Sequence, residues 1–115
     1  MIRRQSDLME ETKHNIRGGV GAARSVDLLK PGEMAGVLSM GRTTLEPGTT
    51  IGEHAHPDTE DLYLILEGQG RAVLDGRTFQ VGPGDLYVCK AGHSHGLDNL
   101  GEGPLTLFAL MTRMA

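Results

Sequence analysis

The sequence has a single cysteine, Cys89. A lone thiol excludes an internal disulfide framework and suits a reducing compartment. There is no tryptophan, and the only aromatic residues are Tyr63, Phe79, Tyr87 and Phe108, too few to build a platform that stacks nucleic-acid bases. A surplus of basic residues is also missing. The net charge is −4, whereas nucleic-acid binders present basic faces. The longest unbroken apolar run covers residues 62–66, far short of the roughly 20 residues that cross a bilayer as a helix. Arg3 and Arg4 precede no apolar stretch, so the first residues do not read as a secretion signal. The expectation from these absences is a cytoplasmic protein without a nucleic-acid or membrane partner.

Glycine, by contrast, is abundant. Seventeen glycines are spread along 115 residues, about twice the ordinary usage of about 7%, and their spacing is that of turn residues between many short strands. The length suffices for one hydrophobic core. Residues 1–17 are polar and aperiodic, with Leu8 and Met9 too few to bury a helical face. They are expected to form an N-terminal arm that either frays or is ordered by a second subunit, before a single domain over residues 18–115. Gly18, Gly19 and Gly21 read as a flexible turn, and without GxGxxG and a following helix they are not a phosphate cradle.

From Val26 onward the pattern has a period of two. Strands are expected at 37–45, 50–56, 61–67, 71–74, 77–81, 86–89, 93–97 and 105–111, separated by turn sequences such as Glu46-Pro47-Gly48 and Pro83-Gly84-Asp85. Asp75-Gly76 is the strongest hairpin signal. Many short strands and no convincing helix predict an all-β, antiparallel sandwich or barrel.

The chemistry sits in two stretches. His54 and His56 lie two residues apart, followed by Glu60 and Asp61, and His93 and His95 repeat the arrangement. In a strand, residues two apart point the same way, about 6.5–7 Å apart along the chain. Each pair thus presents two imidazoles on one face, able to converge on an ion at roughly 2.0–2.2 Å. With a carboxylate from a neighbouring strand, the donors suit a divalent transition metal: manganese, iron, cobalt, nickel or zinc.

The same stretches resemble the two motifs of the cupin superfamily. In the first, Gly48 is followed by His54, His56, an acid and Gly68. In the second, Gly84 is followed by Gly92, His95 and Asn99, with Lys90 where proline is usual. Asn15 to Gly19 (NIRGG), the phrase LEPGTTIGEHAH and the short length further resemble stand-alone cupins related to oxalate-decarboxylase-like proteins. The resemblance implies a double-stranded β-barrel of jelly-roll type. It also implies a metal held by His54, His56, an acid and His95, and a small oxygen-rich ligand such as a carboxylate, keto acid or enediol, oxalate being one example.

The acid departs from the pattern. Glutamate is usual six residues before Gly68, and Asp61 stands there, with Glu60 beside it. Aspartate falls about 1.5 Å short of glutamate's reach. Asp61 ligates after a backbone shift, or Glu60 replaces it through a one-residue slip, or three histidines and water hold the ion. Strand parity favours Asp61, which shares its face with Tyr63 and Ile65, while Glu60 lies with Leu62, Leu64 and Leu66.

Three residues are candidates for catalysis. His93 faces the cavity as a proton carrier or faces water in a turn. Tyr63 hydrogen-bonds a ligand or packs in the core. Glu60 is the third. With them the chain reads as a metalloenzyme (decarboxylase, isomerase, lyase or dioxygenase), and without them as a metal-dependent binding or sensing module. Cys89, in an apolar strand, reads as an inert small hydrophobe. Residues 62–66 and 105–111 are apolar on both faces, so a second copy of the chain is the expected cover, giving a homodimer.

Overall fold

The computed structural model describes residues 1–114 and consists of ten antiparallel strands with two 3-10 turns, Gln5–Asp7 and Ile16–Gly18. The strands are β1 (Glu10–His14), β2 (Ala22–Leu29), β3 (Val37–Leu45), β4 (Thr50–Ala55), β5 (Thr59–Glu67), β6 (Gly70–Leu74), β7 (Arg77–Val81), β8 (Leu86–Cys89), β9 (Ser94–Asp98) and β10 (Leu105–Arg113). They form a six-stranded sheet, β1-β2-β3-β10-β5-β8, and a four-stranded sheet, β4-β9-β6-β7. All pairings are antiparallel. The two sheets face one another in the jelly-roll arrangement, and the hydrogen-bonded ladders do not run on from one to the other.

Alternation along each strand builds the core. Leu45, Tyr63, Ile65, Tyr87, Leu105 and Leu107 of the larger sheet meet Ile51, Ala72, Val81 and Leu97 of the smaller. Eight expected strands are present with small changes at their ends. Asp75 and Gly76, at φ 49° and 77°, have the two left-handed residues a type I′ hairpin turn needs. Asn99 is fully buried and pins the turn after β9. Its amide donates to the Leu45 and Gly103 carbonyls, and its oxygen accepts from Gly101 N.

The N-terminal residues differ from expectation. Glu10–His14 pairs with β2 of its own chain as an edge strand. All five of its residues are exposed, so neither face had to be apolar. A strand held by its backbone ladder alone leaves no alternation to read.

Candidate metal centre

The donor groups come from both sheets. In the β4–β9 ladder the register shifts between Ile51 and His54, after which His54 stands directly opposite His95. A bulge of this kind re-aims side chains at the rim of a sheet, and here it turns two cross-strand imidazoles towards each other, with ring centroids 4.7 Å apart. His56 lies one residue beyond β4 and is fixed by the second histidine stretch. Its N–H donates to the His93 carbonyl at 3.1 Å, and its carbonyl accepts from Gly92 N at 2.7 Å. Asp61 comes from β5 of the opposite sheet, paired in regular register with Cys89 and Met111.

These four residues offer one ligand atom each within 4.8 Å of one another. The Nε2 atoms of His56 and His95 are 3.1 Å apart, and Asp61 Oδ2 is 3.4 Å from each of them. Donors bound at about 2.1 Å are separated by about 3.0 Å along an octahedral edge and about 3.4 Å along a tetrahedral one. The three separations among His56, His95 and Asp61 fall in that interval, and the His54 donor lies within 4.8 Å of the others.

Protonation points the same way. His54 Nδ1 donates to the Gly52 carbonyl at 2.7 Å, which fixes a tautomer whose Nε2 lone pair is free, and His56 Nδ1 lies 3.0 Å from Thr59 Oγ1. Asp61 Oδ1 and His95 Nδ1 are buried without a hydrogen-bond partner, and unsatisfied polar atoms of this kind mark where an ion or water belongs. The residues fit a divalent metal.

Burial, helped by the neighbouring His95 and then Arg17 charges, holds the pKa of His54 and of His56 below the ordinary imidazole value, although the Gly52 carbonyl pulls His54 and Asp61 pulls His56 back upward. A proton is thereby discouraged where a metal would compete with it. The unfolded chain, whose histidines titrate near about 6.5, then binds more protons than the folded one between the lowered pKa and that value. The contribution to stability is fully present above about pH 6.5 and is lost as pH falls through the folded pKa. Chelator-treated protein is therefore expected to melt at progressively lower temperature from pH 7 to pH 5. A melting temperature that stays flat or rises on acidification would contradict this. His54→Ala should flatten the profile.

The remaining sequence candidates separate. Tyr63 joins the cluster, stacking on the His95 ring at 4.5 Å and 29° and meeting Tyr87 edge-on. Burial, reinforced by Asp61, pushes its phenol pKa far up, so it stays protonated. Glu60 points to the other face of β5, where its carboxylate accepts from Ala91 N at 3.3 Å. Neither the backbone shift nor the one-residue slip is seen, since the register at Asp61 is regular on both sides.

His93 precedes β9, so strand parity with His95 does not extend to it. It is exposed and bonds Asp75 Oδ2 through Nδ1 at 2.7 Å. Cys89 is buried with its thiol pKa raised by desolvation, an unreactive state.

Arg17, which sequence reasoning left at the end of the polar N-terminal arm, sits in the 3-10 turn Ile16–Gly18, with its carbonyl packed against Gly52 of β4. The signal was a lone arginine inside a glycine-rich turn.

Comparison with known proteins agrees with this geometry. The cupin domain family matches residues 41–111. An oxalate-binding protein of Thermotoga maritima is 30% identical over 112 residues, 96% of this chain and 93% of that one. An L-ectoine synthase of Bordetella parapertussis is 31% identical over 112 residues, covering 96% of this chain and 81% of the synthase. Among solved structures, a Thermotoga maritima protein described as a predicted oxalate decarboxylase superposes with a TM-score of 0.94 at 30% identity, spanning 99% of this chain and 100% of that one.

Proposed function

The chain belongs to the cupin family, and from that premise we propose that it is a metal-dependent receptor for a small oxygen-rich metabolite, a short carboxylate or keto acid. The observation that carries this is the convergence of His54, His56, Asp61 and His95, with Asp61 Oδ1 and His95 Nδ1 left unpaired in a buried site. A divalent ion held there supplies Lewis acidity and open positions for a chelating ligand. Tyr63 walls the site behind His95. Likeness to an oxalate-binding protein supports a dicarboxylate such as oxalate.

Binding without turnover is favoured over catalysis by where the acid–base candidates lie. Glu60 is engaged with Ala91 N on the outer face, His93 with Asp75 in solvent, and Tyr63 is too weak an acid to give up a proton. A general acid or base must come within hydrogen-bond reach of the group it serves. The enzymatic reading is supported by likeness to L-ectoine synthase.

Metal analysis of protein purified without chelator, followed by calorimetric titration with oxalate and pyruvate and assays for carbon dioxide release and oxygen uptake, tests both. About one equivalent of metal, metal-dependent binding and no turnover is the expected result. Less than about 0.2 equivalents would sink the metal reading, and steady product formation would install the enzymatic one.

The outer face of the larger sheet supports a homodimer. Leu110 stands opposite Leu62, which stands opposite Val88, and Phe108 opposite Leu64, which stands opposite Leu86. Leu86 and Val88 are 56% and 45% exposed, and such a contiguous apolar face calls for a cover. A dimer is expected by light scattering at micromolar concentration, with Leu62→Asp/Leu110→Asp shifting it to monomer. A monomeric parent protein would refute the assignment.

A single buried, reduced thiol suits the cytoplasm. No helix among the described residues is long and apolar enough to cross a membrane.

A further inference from the structure

We propose that two exposed carboxylates of the smaller sheet, Asp75 and Glu53, are positioning residues of the metal centre, fixing residues 93–95 against β4. The proposal rests on the metal-dependent reading above.

The backbone ladders alone hold this segment weakly. His95 stands on the last rung between β9 and β6, opposite Leu74. On its other side the β4–β9 register breaks between Ile51 and His54, and only the His54–His95 and Ala55–Ser94 pairs lie beyond the break. Strand ends are where a sheet opens most readily. The facing imidazoles of His54 and His95 thus stand where backbone pairing is least able to keep their spacing.

The hairpin turn between β6 and β7 supplies what the ladders lack. Asp75 Oδ1 accepts from Ser94 N at 2.9 Å, and Asp75 N donates to the Ser94 carbonyl at 2.9 Å. One turn residue thereby grips both backbone polar groups of the residue beside His95. Asp75 Oδ2 also accepts from His93 Nδ1 at 2.7 Å, and the His93 carbonyl receives the His56 N–H at 3.1 Å. Asp75 therefore holds the stretch on which both His56 and His95 are fixed. The two Ser94 bonds stand without the His93 imidazole.

Glu53 closes the other side. It lies within the register break, directly before His54. Its Oε2 accepts from Ser94 Oγ at 2.6 Å and from Gly76 N at 2.8 Å. One oxygen thus joins the broken stretch of β4, the turn and the start of β9.

Neither the turn nor the ring of His95 makes this network redundant. At φ 49° position 75 would be served as well by glycine or asparagine, so the turn does not demand a carboxylate for its shape. His54 and His56 each have an Nδ1 contact, whereas His95 Nδ1 has none. The place of His95 depends on ring packing against Tyr63 and on its backbone, which is what Asp75 and Glu53 secure.

The test is titration with cobalt(II), the visible spectrum of the cobalt-loaded protein, and the thermal midpoint in chelator. The chains compared are the parent, Asp75→Gly, Asp75→Asn, Glu53→Ala and Arg71→Gln. Glycine keeps the left-handed turn and removes the carboxylate, while asparagine keeps both the turn and an acceptor for Ser94 N. Arg71 links β6 and β9 at their far end through Asp98 and is the control. Asp75→Gly and Glu53→Ala are expected to bind cobalt about tenfold or more weakly, with shifted ligand-field bands. Asp75→Asn and Arg71→Gln should keep the parent's spectrum and stay within about threefold of its affinity.

Parent affinity and spectrum in both Asp75→Gly and Glu53→Ala would overturn the proposal. A lower thermal midpoint with neither of these changed would make the carboxylates structural and overturn it too. An equal loss in Asp75→Asn would make charge the cause in place of position, and an equal loss in Arg71→Gln would make it a general loosening of the sheet. Either result would overturn the assignment. A parent chain that takes up no cobalt would overturn the metal-dependent reading itself, a result visible before any variant is compared.

Discussion

Asp61→Asn is expected to lower metal affinity about 100-fold or more, whereas Glu60→Gln and His93→Ala change it by less than about threefold. Replacing an outer partner of a metal ligand typically costs 10–100-fold, so removing the charge of a ligand itself lies at or beyond the upper end. Asp61 is the one anion in the cluster, and its Oδ2 is 3.4 Å from two imidazole nitrogens at once. The amide keeps size and shape while losing the charge, so the loss reads as electrostatics.

Asp61→Glu restores the acid usual in the cupin motif and should retain metal, at some cost in packing against Tyr63 and Cys89. Isothermal titration with manganese and zinc measures all four variants. A Glu60→Gln loss as large as that of Asp61→Asn would mean that the outer-face carboxylate takes part after all, against its bond to Ala91 N.

That contrast also marks how far the sequence could be read. Asp61 was separable from Glu60 by parity alone, because a buried strand has one inward face and Asp61 shares it with Tyr63 and Ile65. Turn spacing pointed to an all-β sandwich or barrel. The jelly roll and the place of His95 beside His54 came from the resemblance to the cupin motifs, since the β4–β9 pairing joins strands far apart in sequence.

For His93 parity left two readings open, and the turn histidine facing water is the one the structure has. β9 begins one residue later, at Ser94, and outside a strand the alternation has no force. Glu10–His14 escaped notice because a strand exposed on both faces carries no apolar signature. Arg17 could not be placed, since its nearness to His54 depends on a turn folding back across β4 through glycine contacts. Those contacts are long-range in sequence and leave no periodic trace.

Gly52→Ala is expected to destabilise the fold by about 1–3 kcal/mol and to weaken metal binding about 10–100-fold. The sign is not obvious in advance. Gly→Ala ordinarily stabilises by about 0.4–1 kcal/mol through the unfolded chain when the backbone tolerates it, and Gly52 does not sit at positive φ.

Space decides the outcome. A Cβ at Gly52 would overlap the Arg17 carbonyl and lie 2.9 Å from Gly19 N. Both are backbone atoms, which no rotamer change can move aside. Relief requires the 3-10 turn to lift from β4, which breaks the Val20–Thr50 bonds. It otherwise requires the Gly52 carbonyl to swing away from His54 Nδ1, which frees the ring that the metal needs oriented.

Gly103 provides the control, because nothing lies near its missing side chain and its φ is not positive. Gly103→Ala should melt at or slightly above the parent, with metal affinity unchanged. Thermal melts in chelator and manganese titrations of both variants measure the two effects separately. If Gly52→Ala behaved like Gly103→Ala in both, the turn would be a loose cover and the coupling between Arg17, Gly52 and His54 would be refuted.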